Sequence, residues 1–494
     1  MTFLVFASIF WLIVYIKKLL FWVYLWQLKE YHIGRFIDHF RTYKGKRLIL
    51  NWWLVMKGLL LLGIYFLAGL GWPEAKTNLV YLTVFIFFIE GMFFLKGIHQ
   101  GNFKKPVVTR KTAVILTTGL SLGALVIFSL FLIELSLTKF VFSLLFLDFF
   151  AMLFFSVLVL AYQPLAVVLR NHLIKAAQRK RACFKKLLVI GVTGSYGKTS
   201  TKEYLAAILS EKFKVLKTRE HQNSEVGISQ CVLNELAENH EVFIVEMGAY
   251  NRGGIKLLCG IVKPKIGVLT GINEQHMATF GSQENIVKTK YELIESLPKD
   301  GTAFFNGANQ YCRDLFEKTK IRKKLYGEKA VSSYEQNLAG AVAVAEFLGM
   351  NQELIERGVK KIKAAQTSRL KKGADGIEII DSTYSANPTG VIADLDDLKK
   401  HRGKKVLVMP CLIELGPASK DVHRRIGQKI GEVCDLAIIT TRDRLKEIKE
   451  GADGKVIFSE NAGEIVQKIK NFCKAGDVVL LESRVPSQVI KKLL

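Results

Sequence analysis

The stretch GVTGSYGKTSTKE, residues 191–203, carries the residue types that hold a nucleotide's phosphates. Gly191, Gly194 and Gly197 let a backbone turn tightly and aim its N–H groups at phosphate oxygens. Lys198 offers a cation to the β- and γ-phosphates, and the Thr199 hydroxyl is placed to reach a Mg2+ ion. The nucleotide contacts expected here are Gly194, Ser195, Gly197, Lys198, Thr199 and Ser200. The strict GxxxxGK[ST] spacing is not met, because Val192 stands where its first glycine would be.

Such a loop needs a strand before it and a helix after it. Leu187–Ile190 is a short apolar β run, and the residues from Lys198 onward predict a helix whose N-terminal dipole adds to the anion site. A second apolar run, VFIVE, ends in Glu246. A carboxylate at a strand's C-terminal end beside a phosphate loop is well placed to hold Mg2+. Further on, His276 lies in a loop and Lys290 in a helical stretch. By residue type alone, the first reads as a structural histidine and the second as a phosphate-facing cation.

Taken in order, these motifs resemble those of the Mur ligases, ATP-dependent amide-bond ligases of peptidoglycan synthesis. The resemblance spans about residues 187–494. It runs from the phosphate loop through HQNSEVGIS (221–229), with Asn223, Ser224 and Gly227 in matching places, to Glu246. It continues with His276, Lys290, the Asn306 segment GTAFFNGAN and the IELGPASKDVHRRIG segment that holds Glu414 and His423.

Several roles follow from the resemblance alone. His276 is a ligand of a second Mg2+, and Lys290 is carbamylated and helps fix that ion. Asn306 contacts adenine, Arg369 the γ-phosphate side and Asp381 the ribose, with Asp381 one residue earlier than in the family motif. Asn223, Ser224, Tyr384 and Asn387 meet substrate. Lys198, His276, Lys290 and Arg369 form the catalytic set. The resemblance also implies ATP, two Mg2+ ions and activation of a muramoyl-peptide carboxylate as an acyl phosphate. An amino acid or dipeptide is then added, and D-alanyl-D-alanine fits the pattern best.

The chain before residue 187 has another character. It holds 23 Lys/Arg and six Asp/Glu, most of the +26 net charge, between long apolar stretches. A span needs about 20 mostly apolar residues, and 2–22, 51–71, 78–98, 112–134 and 140–168 qualify. The loops 27–48, 96–111 and 170–186 carry six, five and seven Lys/Arg, whereas 72–77 and 135–139 carry one each. This alternation places the N-terminus outside and everything after Arg170 in the bacterial cytoplasm. The start lacks a basic n-region and a clear cleavage site, so it reads as a retained span rather than a signal peptide.

Basic charge between apolar spans fits anionic lipid attraction and not a nucleic-acid partner. The seven cysteines are scattered without a CxxC pair, as in a reducing compartment without a zinc site. Glu90 and Asp148 fall inside spans, where a carboxylate is either functional or bonded to a neighbouring helix. Residues 27–48, with Ile33, Phe36, Ile37 and Phe40, read as an amphipathic surface helix or a packed loop.

The expected architecture is an α-helical membrane region of about five spans (1–170) and a basic linker (171–186), followed by two α/β domains. The first is a P-loop ATPase-like central domain (187–366), and residues 337–363 close it as one amphipathic helix. The second is a Rossmann-like C-terminal domain (367–494), with a hinge near 364–368. The membrane region stands where the family has its UDP-binding domain. An acceptor that is lipid-linked or of the poly-γ-glutamate type is the alternative to the UDP-muramoyl peptide. Membrane lipids are expected partners, and other cell-wall enzymes can associate with an enzyme so placed. A transporter is disfavoured for want of a second nucleotide-binding signature.

Overall fold

The computed structural model describes residues 2–494 except Glu134, His221, Val331, Ser368, Arg369 and 384–386. The chain divides into two compact units, Met1–Leu169 and Arg170–Leu494.

The first unit is helical. Its elements are α1 (Thr2–Leu28), α2 (Ile33–His39), α3 (Tyr43–Ile49), α4 (Trp52–Gly69), α5 (Pro73–His99), α6 (Arg110–Leu132), α7 (Leu137–Phe149) and α8 (Ala151–Ala161), with α9 (Gln163–Cys183) starting at its end. Five helical stretches among the described residues are long and apolar enough to cross a membrane. The fifth differs from expectation. Residues 140–168 are not one helix: α7 ends at Phe149, α8 at Ala161, and the fifth long stretch runs Ala151–Cys183. The break at Phe150 has no proline beside it, whereas Pro164, which cannot donate a helical hydrogen bond, stands two residues after the break at Tyr162. Most of the basic 171–186 segment is therefore helix.

The 27–48 segment is two short helices. His32 and Thr42 cap them by accepting from Arg35 N and Gly45 N. Phe36 stacks on Trp26 with ring centroids 3.9 Å apart, while Ile33 and Ile37 remain exposed. The segment is thus packed on one side and open on the other.

The second unit holds two six-stranded sheets. The first comprises β1 (Leu188–Thr193), β2 (Val215–Lys217), β3 (Val242–Glu246), β4 (Ile266–Leu269), β5 (Thr302–Asn306) and β6 (Arg322–Tyr326), ordered β2-β3-β1-β4-β5-β6 and wholly parallel. Its central strands β3, β1, β4 and β5 are mostly apolar runs because both faces are covered. Val189, Phe243, Val245 and Leu269 enter one core cluster, and Ile190, Val192, Ile244 and Val268 enter another on the opposite face.

The second sheet comprises β7 (Leu370–Lys372), β8 (Glu378–Ser382), β9 (Lys405–Met409), β10 (Leu436–Ile439), β11 (Val456–Phe458) and β12 (Val478–Glu482), ordered β11-β10-β9-β12-β8-β7. Only β7 runs antiparallel to its neighbour. Leu407 and Met409 face one cluster and Val406 and Val408 the other. Residues 337–363 are two helices, Ser333–Phe347 and Gln352–Thr367, because Gly349 at φ +67 ends the first. The expected hinge falls partly on Ser368, outside the described residues, while 364–367 form the end of the Gln352–Thr367 helix.

Candidate active site

The phosphate loop joins β1 to α10 (Lys198–Leu209). Gly197 caps α10 in the left-handed conformation at φ +76, and a Cβ there would sit 2.3 Å from Asn337 Oδ1. At Gly194 a Cβ would meet Thr270 Oγ1 at 2.1 Å. Both glycines therefore make room for side chains packed directly against the loop backbone. The loop is fastened by Ser195 N, which donates to Gly271 O at 2.7 Å, and by the Ser195 hydroxyl, which donates to Asn273 O at 3.4 Å. Lys198 folds back on the loop, its Nζ donating to the Gly194 and Ser195 carbonyls at 2.9 and 3.2 Å. Burial lowers the Lys198 pKa, and Glu246 opposes that shift.

Glu246 ends β3 next to this loop. Thr199 Oγ1 donates to its Oε2 at 2.9 Å, and Asn223 Nδ2 to its Oε1 at 3.1 Å. Lys202, one turn after Lys198 on α10 and fully buried, places Nζ 3.5 Å from the same Oε2. Burial alone would raise the Glu246 carboxyl. Lys198, Asn223, Lys202 and Thr199 together outweigh it and hold the group below its ordinary value. An ionised carboxylate beside a hydroxyl is an oxygen donor set that fits Mg2+.

His276 and Lys290 approach from the other side of the loop. His276 adopts φ +65, with Nδ1 2.7 Å from Glu414 Oε2 and the Tyr250 ring edge-on at 5.0 Å. Burial lowers its pKa despite Glu414, so the ring is neutral and keeps a ligand lone pair. Lys290, 3% exposed on the Gln283–Glu295 helix, is lowered to about 7 by burial and then by Lys198. Neutral nitrogens suit Mg2+ poorly; a carbamate on Lys290 would supply the missing oxygens. Among the described residues no three His, Cys, Asp or Glu side chains converge as a metal cage.

The remaining expected residues separate. Asn306, fully buried at the end of β5, spends its amide on Thr270 O at 2.7 Å and Gln336 Oε1 at 3.0 Å. Ser224 caps the Glu225–Glu235 helix by accepting from Gly227 N. Asp381 accepts from the Thr383 hydroxyl at 2.7 Å and from Lys371 at 3.2 Å. Asn387 caps the Pro388–Lys399 helix and also accepts from Asn273 at 3.4 Å. Arg369 and Tyr384 lie outside the described residues. A cleft of about 470 Å³ runs between the two sheets' domains, with Gly197, Ser200 and Tyr204 on one wall and Ser382, Asn387 and Asp394 on the other.

Lys202 escaped the motif reading, and Glu414, although inside a matched segment, was not linked to His276. Lys202 follows Lys198 at i+4, a spacing that puts both on one helix face and could have revealed it. Glu414 is 138 residues from His276, and no local pattern links them.

A phosphate loop, an ionised carboxylate at the adjacent strand end and a second α/β domain across a cleft define an ATP-using enzyme of two catalytic domains. Residues 192–355 match the Mur ligase middle domain, and residues 368–484 match the Mur ligase glutamate ligase domain. The chain is 31% identical over 325 residues to the UDP-N-acetylmuramoyl-tripeptide–D-alanyl-D-alanine ligase of Synechocystis, covering 60% of this chain and 71% of that one. With the Bacillus subtilis enzyme of the same name the identity is 27% over 361 residues, covering 64% and 78%. Among solved structures, MurF from Acinetobacter baumannii superposes with a TM-score of 0.60 at 25% identity, covering 65% of this chain and 80% of that one. MurF ligase from Thermotoga maritima, in complex with ADP, gives 0.57 at 25% identity, covering 65% and 83%. The chain belongs to the Mur ligase family and is an ATP-dependent ligase of peptidoglycan precursor synthesis.

Proposed function

We propose that this ligase joins D-alanyl-D-alanine to a muramoyl tripeptide at the cytoplasmic face of a bacterial membrane. The observation that carries the reading is the phosphate loop whose Thr199 bonds Glu246 and whose Lys198 helps keep that carboxyl ionised, in a chain whose relatives are named for that reaction. ATP supplies the phosphoryl group. Lys198 and the loop N–H groups draw charge from it as it passes to the peptide carboxylate, which becomes an acyl phosphate. The amine of the incoming dipeptide attacks the acyl carbon, the C–N bond forms, the amine proton is lost to solvent or a nearby base, and phosphate leaves.

Glu246 and Thr199 hold one Mg2+, which neutralises phosphate charge. His276 and a carbamylated Lys290 hold a second. Asn223 steers Glu246 as well as meeting substrate. Supporting the carbamate is the depressed Lys290 pKa, since the uncharged amine is the form that adds CO2. Arg369 and Tyr384 complete the phosphate and substrate contacts.

The helical unit anchors the enzyme beside lipid-linked chemistry. Its five apolar stretches also favour a second reading, in which the acceptor itself is lipid-linked. Phosphate release is measured with UDP-muramoyl tripeptide plus D-alanyl-D-alanine, and in parallel with a lipid-linked muramoyl acceptor. Turnover with the nucleotide-linked acceptor is expected. Turnover only with the lipid-linked one selects the second reading, and none with either removes the cell-wall assignment.

A further inference from the structure

The helical unit buries a charge network that the ligase chemistry does not use. Lys57 of α4, 1% exposed, bridges Glu90 of α5 and Asp148 of α7, the latter at 2.6 Å. Lys17 and Lys18 of α1 join it: Lys17 pairs with Glu90 at 2.9 Å and Lys18 with Asp148 Oδ1 at 2.7 Å. The surroundings are apolar, with Trp11, Phe87, Leu144 and Leu145 buried nearby in the same cluster.

By formal charge, three lysines face two carboxylates, an excess of one positive charge. A net charge among apolar helices is expensive and calls for an anion. Exposure shows where that anion can reach. Lys57 and both carboxylates are closed off, whereas the Lys17 and Lys18 side chains stay 30% and 18% exposed. Lys18 lies ten residues before the end of α1, about 15 Å along the helix, and one turn from Trp22. Both ammonium groups turn inward to the carboxylates, so an anion reaches them from the end of the expected span at residue 22, about 6 Å along the helix from Lys18.

We infer that Lys17 and Lys18 form a binding site for the phosphate headgroup of an anionic membrane lipid, which supplies the charge the buried network lacks. The inference rests on the helices spanning a bilayer and is independent of which acceptor the ligase uses.

The full chain is reconstituted in phosphatidylcholine vesicles containing a minor fraction of brominated phosphatidylglycerol or, at equal fraction, brominated phosphatidylcholine. Quenching of the α1 tryptophans Trp11, Trp22 and Trp26 reports which lipid sits beside the pair. Brominated phosphatidylglycerol is expected to quench more strongly. Lys17→Gln should weaken that preference about fivefold, the worth of one lysine near an anionic surface. Lys17→Arg/Lys18→Arg should keep it, as should Lys185→Gln, which removes equal charge elsewhere. Equal quenching by the two lipids, or an unchanged preference in Lys17→Gln, overturns the site and leaves the network as a helix lock. Failure of the chain to co-sediment with either vesicle overturns the membrane reading along with it.

Discussion

His276 Nδ1 and Glu414 Oε2 lie 2.7 Å apart, joining a loop after β4 to a loop after β9. The contact is reinforced by Ala278 N, which donates to Glu414 O at 3.1 Å, and by Arg425 on Glu274 at 2.8 Å. A carboxylate on one ring nitrogen sets the tautomer and leaves the other nitrogen aimed at a metal. The second ligase domain therefore orients a candidate metal ligand of the first.

Glu414→Ala should lower activity by about 10- to 100-fold, the usual cost of losing such an orienting partner. The loss should shrink at high Mg2+, which a titration of kcat against Mg2+ checks. A loss that does not respond to Mg2+ would assign Glu414 a structural role only.

Lys202→Met should remove the buried cation behind Glu246. Breaking a buried pair from one side costs about 3 kcal/mol, readable as a lower midpoint in denaturant. The variant should also bind Mg2+–ATP less well, because Glu246 loses one of the groups that keep it ionised. Isothermal titration would show the weaker binding.

As the free amine, in buffer stripped of CO2, Lys290 predicts a pH dependence of stability. Its folded pKa of about 7 lies below the ordinary 10.5, so between these values the unfolded chain binds more protons than the folded one. Stability should rise as pH increases through this window, by up to about 1.4 kcal/mol per unit from this group. Lys290→Met should flatten that rise in a melting series at controlled pH. In buffer stripped of CO2 the wild-type enzyme should lose activity and regain it on adding bicarbonate, with Lys290→Met unresponsive.

Gly197→Ala should cost about 1–2 kcal/mol, because φ +76 is a left-handed conformation and the new Cβ would strike Asn337. Nucleotide binding should weaken further than stability does, since the loop must shift to admit the methyl group. Comparing a thermal melt with an ADP titration separates the two effects.

Much of this protein is written locally. A helical run of apolar residues, the glycine spacing around Lys198 and an acid at the end of VFIVE depend on neighbours a few positions away, so reading them needs only period and order. For the same reason the strands around the phosphate loop form where these runs place them. The interruption at Phe150 was not legible, because apolar composition is the same on either side of it, whereas Pro164 marks the one at Tyr162. Nor could Lys57 be told from an interfacial lysine: its partners Glu90 and Asp148 are 33 and 91 residues away. Lys202 with Glu246, and His276 with Glu414, are likewise pairs made by strands and helices converging. A charge's partner, and hence its ionisation and role, is set by what folding brings within a few ångströms, and chain order carries no measure of that distance.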